Sequence, residues 1–231
     1  MPFFDALFQD RRDAGRQLAA ALASYRQSRP VVLALPRGGV PVGFEVARAL
    51  GAPLDVLLVR KIGAPGHEEL GLGAVVDGHD PQLVLNEDVI RSVAPPPGYI
   101  EAEKRRQLAE IERRRQHYVG DRPPLPVDGR IVIVVDDGIA TGGTVKAALR
   151  GLGRHHPARL VLAVPVAPAD TLRELEAECN DIICLATPEP FYAVGPHYHD
   201  FRQTEDDEVV RLLAEARQWA AAEPSAPETA T

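Results

Sequence analysis

Cysteine and long apolar runs are both scarce in this sequence. Only Cys179 and Cys184 occur among 231 residues, and they form neither a CxxC pair nor a cluster with histidine at metal-ligand spacing. We therefore expect two reduced thiols in a cytoplasmic protein, without a disulfide framework. No run approaches the ~18 apolar residues of a membrane span. The first residues also lack the basic segment and apolar run of a signal peptide.

Lysine is also scarce, and acidic residues outnumber basic ones by 33 to 26. Lysine occurs only at Lys61, Lys104 and Lys146, and the formal net charge is -7. Nucleic acids and anionic membranes attract proteins with excess positive charge, so we expect neither as a partner. Hydrophobic residues make up 45% and charged residues 26% of the chain, which is typical of a globular protein with a core.

Apolar strands alternate with helices along the chain. The clearest predicted strand is 131–137 (IVIVVDD), whose continuous apolar run is typical of a central parallel strand that is covered on both faces. A helix and the predicted strands at 160–166 and 182–186 continue a β-α-β series. We therefore predict an α/β fold over 1–222, with a twisted, mostly parallel sheet flanked by helices.

Further elements surround this sheet in the prediction. Strands are predicted at 31–35 and 55–60, and a glycine-rich loop at 61–73 precedes a hairpin of 74–76 and 82–86. Helices are predicted at 9–26, 40–50, about 99–118, 144–152, about 168–178 and 206–222, and a disordered tail at 223–231.

The helix at about 99–118 is rich in arginine and glutamate. Glu101–Arg105 and Glu110–Arg114 are spaced as i,i+4 pairs, which favour an exposed helix. A solvated face is the main interpretation, and a dimer contact or a lid remains open.

The turn after 131–137 carries the clearest chemical signal. Asp136 and Asp137 end the strand, and a helix follows a turn of small residues that includes Gly138, Ala140, Thr141, Gly142, Gly143 and Thr144. Glycines let backbone N–H groups approach an anion, and the helix start adds positive partial charge, so we expect a phosphate monoester here. Carboxylates accept hydrogen bonds from sugar hydroxyls, so a 5-phosphoribose fits both features.

These residues resemble the signature of the type I phosphoribosyltransferases, in which a strand, two acids and a TGGT-like turn lead into a helix. The resemblance implies that Asp136 and Asp137 hold the ribose hydroxyls while Gly138 and 140–144 wrap the 5′-phosphate. It also implies the fold of that family, with a C-terminal hood at about 187–205.

The reaction implied by the resemblance transfers 5-phosphoribosyl from phosphoribosyl pyrophosphate to a nitrogenous base and releases pyrophosphate. A purine-like base and nucleotide salvage are favoured, in a homodimer. Mg²⁺ is expected to arrive on the substrate, with no metal site of the chain itself. Two alternatives stay open: a regulator that binds phosphoribosyl pyrophosphate without turnover, and a phosphoribosyl pyrophosphate hydrolase.

A second glycine loop, ALPRGGVPVG at 34–43, resembles the pyrophosphate loop of the same family. It implies that Arg37, Gly38 and Gly39 contact the pyrophosphate, because a planar guanidinium suits phosphate oxygens. We also predict a strained or cis peptide bond on one side of Arg37.

The stretch LVRKIGAPG at 58–66 resembles adenine phosphoribosyltransferases. The resemblance implies that Arg60 and Lys61 also face the pyrophosphate, and that a mobile loop follows them and closes over the reaction.

The base side is predicted at 188–201, where FYAVG resembles the base-binding stretch of hypoxanthine-guanine enzymes. The resemblance implies that Tyr192 stacks on the base and that the backbone of Ala193 contacts its edge. The alternative is that Phe191 and Tyr192 are packing residues.

The general base of the reaction has several candidates. Glu68 and Glu69 lie in the loop after Lys61, and His197 and His199 are alternatives.

Overall fold

Eight strands form two sheets in the structure, a computed structural model that describes residues 6–222. They are β1 (Val31–Ala34), β2 (Leu54–Val56), β3 (Val59–Ala64), β4 (His67–Val76), β5 (Gln82–Leu85), β6 (Ile131–Val135), β7 (Arg159–Val166) and β8 (Asp181–Ala186). The central sheet is parallel, with the order β2-β1-β6-β7-β8, and β3-β4-β5 form a separate antiparallel sheet. The predicted parallel sheet is confirmed.

Seven α-helices accompany these sheets within residues 6–222. They are α1 (Arg11–Ala21), α2 (Gly39–Leu50), α3 (Glu87–Val93), α4 (Tyr99–Val119), α5 (Gly143–Gly153), α6 (Ala169–Leu175) and α7 (Asp206–Ala222). The helix predicted at 9–26 is instead α1 followed by a 3₁₀ turn at Ala23–Ser28. None of the helices in this described part is long and apolar enough to cross a membrane. The predicted tail at 223–231 lies outside the described residues.

Alternate residues of each central strand enter two different cores. Val32 and Ala34 of β1 pack on the side of α1, α2 and α7, whereas Val31 and Leu33 pack on the side of α5. Successive side chains of a strand point to opposite faces, so a sheet with helices on both faces needs apolar residues at every position. This accounts for the continuous apolar runs in the sequence.

The prediction of one strand at 55–60 and a loop at 61–73 is wrong, because this segment contains the end of β2, all of β3 and most of β4. The chain leaves the central sheet after β2, and β3 and β4 form a hairpin that turns at Gly66, whose φ is 72°. Glycines suggested a loop here, but a Cβ on Gly73 would lie 2.3 Å from the Val84 carbonyl oxygen. Gly73 therefore permits close packing of adjacent strands.

One side of α4 is buried, which the prediction of a solvated helix missed. Arg115 is only 6% exposed and donates to Asp55 and Asp77, each at 2.9 Å. The predicted exposed pair Glu110–Arg114 is present at 2.7 Å. The helix therefore presents surface ion pairs on one side and a buried ion cluster on the other.

The hood segment at 187–205 contains a 3₁₀ turn at Gly195–His197 and is tied to the start of the described chain. The Leu7 amide donates to the His197 carbonyl oxygen at 2.9 Å, and the His199 amide donates to the Phe8 carbonyl oxygen at 2.9 Å. The residues that lead into α1 are therefore hydrogen-bonded to the hood.

Candidate active site

The turn between β6 and α5 is open to solvent where a phosphate is predicted. Gly142 caps α5 with a φ of 72°, in the left-handed region that favours glycine. Thr141, Gly143 and Thr144 are exposed, and a Cβ on Gly143 would meet no atom within 4 Å. The unpaired N–H groups at the start of α5 are therefore accessible to an anion.

The two acids at the end of β6 are largely enclosed. The Asp137 amide donates to Asp136 Oδ1 at 2.9 Å, and Asp137 Oδ2 accepts from Arg11 Nε at 2.7 Å. Burial raises the pKa of Asp136 well above its usual range, and the neighbouring charge of Asp137 raises it further. Burial also raises the pKa of Asp137, but the Arg11 guanidinium opposes that rise. Carboxyl groups whose pKa values are shifted by burial and by specific charged neighbours are typical of functional sites.

The PRGG loop packs directly against the acids. A Cβ on Gly38 would lie 2.0 Å from Asp137 Oδ2, and one on Gly39 would lie 2.8 Å from the Val135 carbonyl oxygen. The loops meet because β1 and β6 are adjacent parallel strands, whose carboxyl ends lie at the same edge of the sheet. The peptide bond before Arg37 is cis.

The Arg37 side chain is directed towards the start of α7. Its Nη1 lies 3.7 Å from Asp206 Oδ1, and about a third of the side chain is exposed. The same Asp206 oxygen accepts a hydrogen bond from Tyr118 at 2.6 Å. The neighbouring Gly38 and Gly39 contact the acid turn, whereas the Arg37 guanidinium contacts α7. Binding of pyrophosphate by Arg37 therefore stays a prediction.

A cleft of about 710 Å³ joins the phosphate loop to the second sheet. Its lining includes Arg60, Lys61, Thr141, Thr144 and Lys146. Arg60 Nε donates to Gln107 at 3.0 Å, and the Lys61 ammonium donates to the Glu69 carbonyl oxygen. The structure thus brings Arg60 and Lys61 to the same cleft as the phosphate loop.

Glu68 and Glu69 lie exposed on the β3–β4 hairpin. Glu69 Oε2 is 3.4 Å from Lys61 Nζ. The residues predicted as a mobile loop thus form strands, and a role of these carboxylates as general base stays a prediction. Of the alternatives, His197 is buried, which lowers the pKa of its imidazole, whereas His199 is exposed.

The hood lies over the acid turn. A Cβ on Gly138 would lie 2.5 Å from Val194 Cγ1, so the hood and the turn are in contact. Tyr192 is 79% exposed, whereas the Phe191 ring packs 5.2 Å from His197. Packing therefore accounts for Phe191, and the exposed Tyr192 ring and Ala193 are accessible to a ligand.

Arg11 belongs to the site although sequence reasoning missed it. Besides Asp137, it contacts the Arg202 carbonyl oxygen at 2.7 Å and lies 4.0 Å from the centre of the Phe201 ring. No local signal distinguishes Arg11 from the other charged residues of its helix, and 126 positions separate it from Asp137.

Similarity to known proteins agrees with this geometry. A family model described as "Phosphoribosyl transferase domain" matches residues 5–201. Relatives from two strains of Mycobacterium tuberculosis, both named "Putative phosphoribosyl transferase", are 50% identical over 210 residues, which is 91% of this chain and 47% of theirs. The chain thus spans about half the length of the curated relatives it matches.

A solved structure and a more distant relative are also similar. The crystal structure of TT1426 from Thermus thermophilus has 45% identity and a TM-score of 0.79, covering 90% of this chain and 98% of that one. A ribose-phosphate pyrophosphokinase from Sulfurisphaera tokodaii is 38% identical over 141 residues, which is 52% of this chain and 46% of that protein. Since the domain model covers most of the sequence and the acid turn, the chain belongs to the phosphoribosyltransferase family.

Proposed function

We propose that this chain transfers 5-phosphoribosyl from phosphoribosyl pyrophosphate to a purine-like nitrogenous base and releases pyrophosphate. Membership of the family supports a reaction of this class. The observation that carries the proposal is the contact between two loops from adjacent strands. One loop holds Asp136 and Asp137 beside an open helix start, and the other brings Gly38 against them.

The sugar and its 5′-phosphate would occupy the turn after β6. Asp136 and Asp137 accept hydrogen bonds from the ribose hydroxyls, and the exposed backbone and hydroxyls of Thr141 and Thr144 bind the phosphate. Gly142 supports this function because its left-handed backbone conformation lets α5 begin directly at the turn, next to the proposed phosphate.

The pyrophosphate would lie between the PRGG loop and the cleft. Arg60 and Lys61 line the cleft that reaches Thr141 and Thr144, and their charges suit an anionic leaving group. Arg37 would turn from Asp206 towards the pyrophosphate when substrate binds. This movement exchanges a partly exposed ion pair, which contributes little, for a bond to phosphate.

The base would bind under the hood. The exposed Tyr192 ring is free to stack on a planar heterocycle, and the Ala193 backbone is accessible to its edge. Glu68 and Glu69 are the proposed proton acceptors, carried over the cleft when the exposed hairpin closes.

Mg²⁺ is proposed to enter with the substrate. In residues 6–222 no group of three or more histidine, cysteine or acidic side chains is arranged to hold a metal ion. Asp137 is already paired with Arg11, so the donor set suits an ion that brings phosphate oxygens as ligands. On the pyrophosphate, the ion supplies charge neutralisation for the leaving group.

The reaction exchanges one bond at C1 of the ribose for another. The C1–O bond to pyrophosphate breaks, and its electron pair leaves with the pyrophosphate. A ring nitrogen of the base bonds to C1 and loses its proton to the general base. Positive charge develops on the sugar as the first bond breaks, and the carboxylates of Asp136 and Asp137, hydrogen-bonded to the ribose hydroxyls, would stabilise it.

Pyrophosphate release tests the proposal. The chain is incubated with Mg²⁺, phosphoribosyl pyrophosphate and a panel of purine and pyrimidine bases, and pyrophosphate and nucleotide are measured together. Release that depends on one base supports the transferase. Release without any base indicates a hydrolase, binding without release indicates a regulator, and absence of binding contradicts the site.

A further inference from the structure

Arg11 connects the acid turn to the hood. Its Nε donates to Asp137 Oδ2 and its Nη1 donates to the Arg202 carbonyl oxygen, both at 2.7 Å. Its guanidinium also lies 4.0 Å from the centre of the Phe201 ring. One side chain of α1 therefore contacts a carboxylate of the β6–α5 turn and two neighbouring residues of the hood.

The groups around Asp137 give this contact its importance. The Asp137 side chain is only 15% exposed, and the adjacent acid Asp136 adds like charge. From the hood, the Tyr198 hydroxyl donates to the backbone carbonyl oxygen of Asp137 and not to its carboxylate. Gly38 packs against Oδ2 and brings no charge. Arg11 thus supplies the positive charge that compensates the enclosed carboxylate.

We propose that Arg11 is a positioning residue, which orients the Asp137 carboxylate towards the sugar diol and couples it to the hood. The proposal rests on the transferase function above, since the diol is the ligand of Asp137 there. A carboxylate has two oxygens, so the bond from Arg11 to Oδ2 leaves Oδ1 to accept from a hydroxyl. On the hood, the side chains of Asp200 and Arg202 pair with each other. Arg11 contacts the hood through the backbone carbonyl oxygen of Arg202.

The next residue along α1 provides a matched control. Arg12 also donates through Nε to a buried carboxylate, Glu45 Oε1, at 2.8 Å, and it also lies over an aromatic ring, 4.9 Å from the centre of Phe44. These contacts join α1 to α2. The Arg12→Gln variant therefore removes the same kinds of contact from the same helix without touching Asp137.

Binding of ribose 5-phosphate, followed by calorimetry from about pH 5 to 8, tests the proposal. Arg11→Gln should weaken binding roughly 10-fold or more, because a bond to a charged group is lost and Asp137 loses its orientation. The loss should be larger at low pH, since removing Arg11 raises the pKa of Asp137 further. Arg11→Lys should recover part of the affinity, and Arg12→Gln should match the unaltered chain.

A double variant separates positioning from general damage. The variant that combines Arg11→Gln with Asp137→Asn should bind no more weakly than Asp137→Asn alone, because both substitutions remove the same interaction, the one between Arg11 and Asp137. Additive losses, or equal losses in Arg11→Gln and Arg12→Gln, would overturn the proposal. Arg11→Lys keeps the charge and guards against a folding defect: if that variant keeps the melting temperature of the unaltered chain and recovers none of the affinity, the proposal is overturned.

Failure of the proposed function gives a different result. If the unaltered chain does not bind ribose 5-phosphate, the transferase proposal fails, and the Asp137 carboxyl is then titrated by carbon NMR. A higher titration midpoint in Arg11→Gln than in Arg12→Gln keeps the link between Arg11 and Asp137. Equal midpoints in the two variants contradict it.

Discussion

Gly38 and Asp137 are in direct contact although they belong to different loops. A Cβ on Gly38 would lie 2.0 Å from Asp137 Oδ2. The Gly38 backbone has φ −60° and ψ −34°, which any residue can adopt. Position 38 therefore requires glycine because of the close approach and not because of its φ. This contact aligns the predicted pyrophosphate loop with the predicted sugar site.

The Gly38→Ala variant is expected to displace the Asp137 carboxylate. The added methyl group cannot fit beside Oδ2, so either the loop or the carboxylate must move. Affinity for ribose 5-phosphate should fall roughly 10-fold or more, since a misplaced charged acceptor loses a bond of about 1.5–3 kcal/mol. Calorimetric titration measures the change.

Gly153→Ala serves as the control for the added methyl group. A Cβ at Gly153 would meet no atom within 4 Å, and the residue lies at the far end of α5 from the acid turn. Its affinity should equal that of the unaltered chain. Equal affinities in the Gly38→Ala and Gly153→Ala variants would contradict the predicted role of the contact.

Asp136→Asn combined with Asp137→Asn should abolish binding of phosphoribosyl pyrophosphate while the protein stays folded. Burial raises the pKa of both groups, and the charge of Asp137 raises that of Asp136 further, so removing the charges relieves an unfavourable interaction that offsets the lost bond to Arg11. Calorimetry and thermal unfolding are measured together. The exposed pair Asp80→Asn with Asp128→Asn removes the same charge and should bind normally. Unchanged affinity in the first pair would count against the sugar site.

The affinity of the unaltered chain for ribose 5-phosphate should decrease as the pH falls. An ionised carboxylate accepts hydrogen bonds through both oxygens, whereas protonation turns one acceptor into a donor. The pKa values of Asp136 and Asp137 are raised, so protonation begins above the usual carboxyl range near pH 4. Ribose 5-phosphate affinity is compared from about pH 8 to 5, with inorganic phosphate as a control for ligand ionisation. A parallel pH dependence for both ligands would contradict this assignment.

Arg37→Ala should weaken the binding of phosphoribosyl pyrophosphate more than the binding of ribose 5-phosphate. The predicted bond is to the pyrophosphate, so the affinity for phosphoribosyl pyrophosphate should fall about 10-fold or more, and the affinity for ribose 5-phosphate should fall less. Arg37→Lys retains the charge without the planar fork, so its affinity for phosphoribosyl pyrophosphate should lie between those of the unaltered chain and Arg37→Ala. Equal losses for both sugars would show that the assignment of Arg37 to the pyrophosphate is wrong.

Arg115→Ala should destabilise the fold by about 3–5 kcal/mol, because it leaves Asp55 and Asp77 buried without their shared partner. Burial already raises the pKa of Asp77, and Arg115 opposes that rise, so the variant raises it further. The folded variant then binds a proton more readily than the unfolded chain. Its deficit should therefore shrink as the pH falls from about 7 to 5.

Chemical unfolding at several pH values measures the effect of Arg115→Ala. Arg113→Ala on the same helix removes an exposed pair with Glu110 and should change stability little. If the Arg115→Ala deficit grows as the pH falls, the buried cluster does not act as described.

The sequence determined the central sheet and the acid turn because their signals are local. The apolar run of β6, the acids after it and the glycines before α5 all lie within one short segment, and strand propensity, turn chemistry and helix start agree there. The same holds for the PRGG loop after β1. The hairpin of β3 and β4 was predicted wrongly because glycine indicates a loop locally, whereas close strand packing requires it here.

Only the tertiary structure decided which distant charges meet. Arg11 and Asp137 are separated by 126 positions, and Arg115 and Asp55 by 60, so no short pattern relates them. Many arginines of this chain are solvated, and the difference for these two arises from the elements packed around them. Helix docking encloses their guanidinium groups, and an enclosed charge is stable only beside an opposite one.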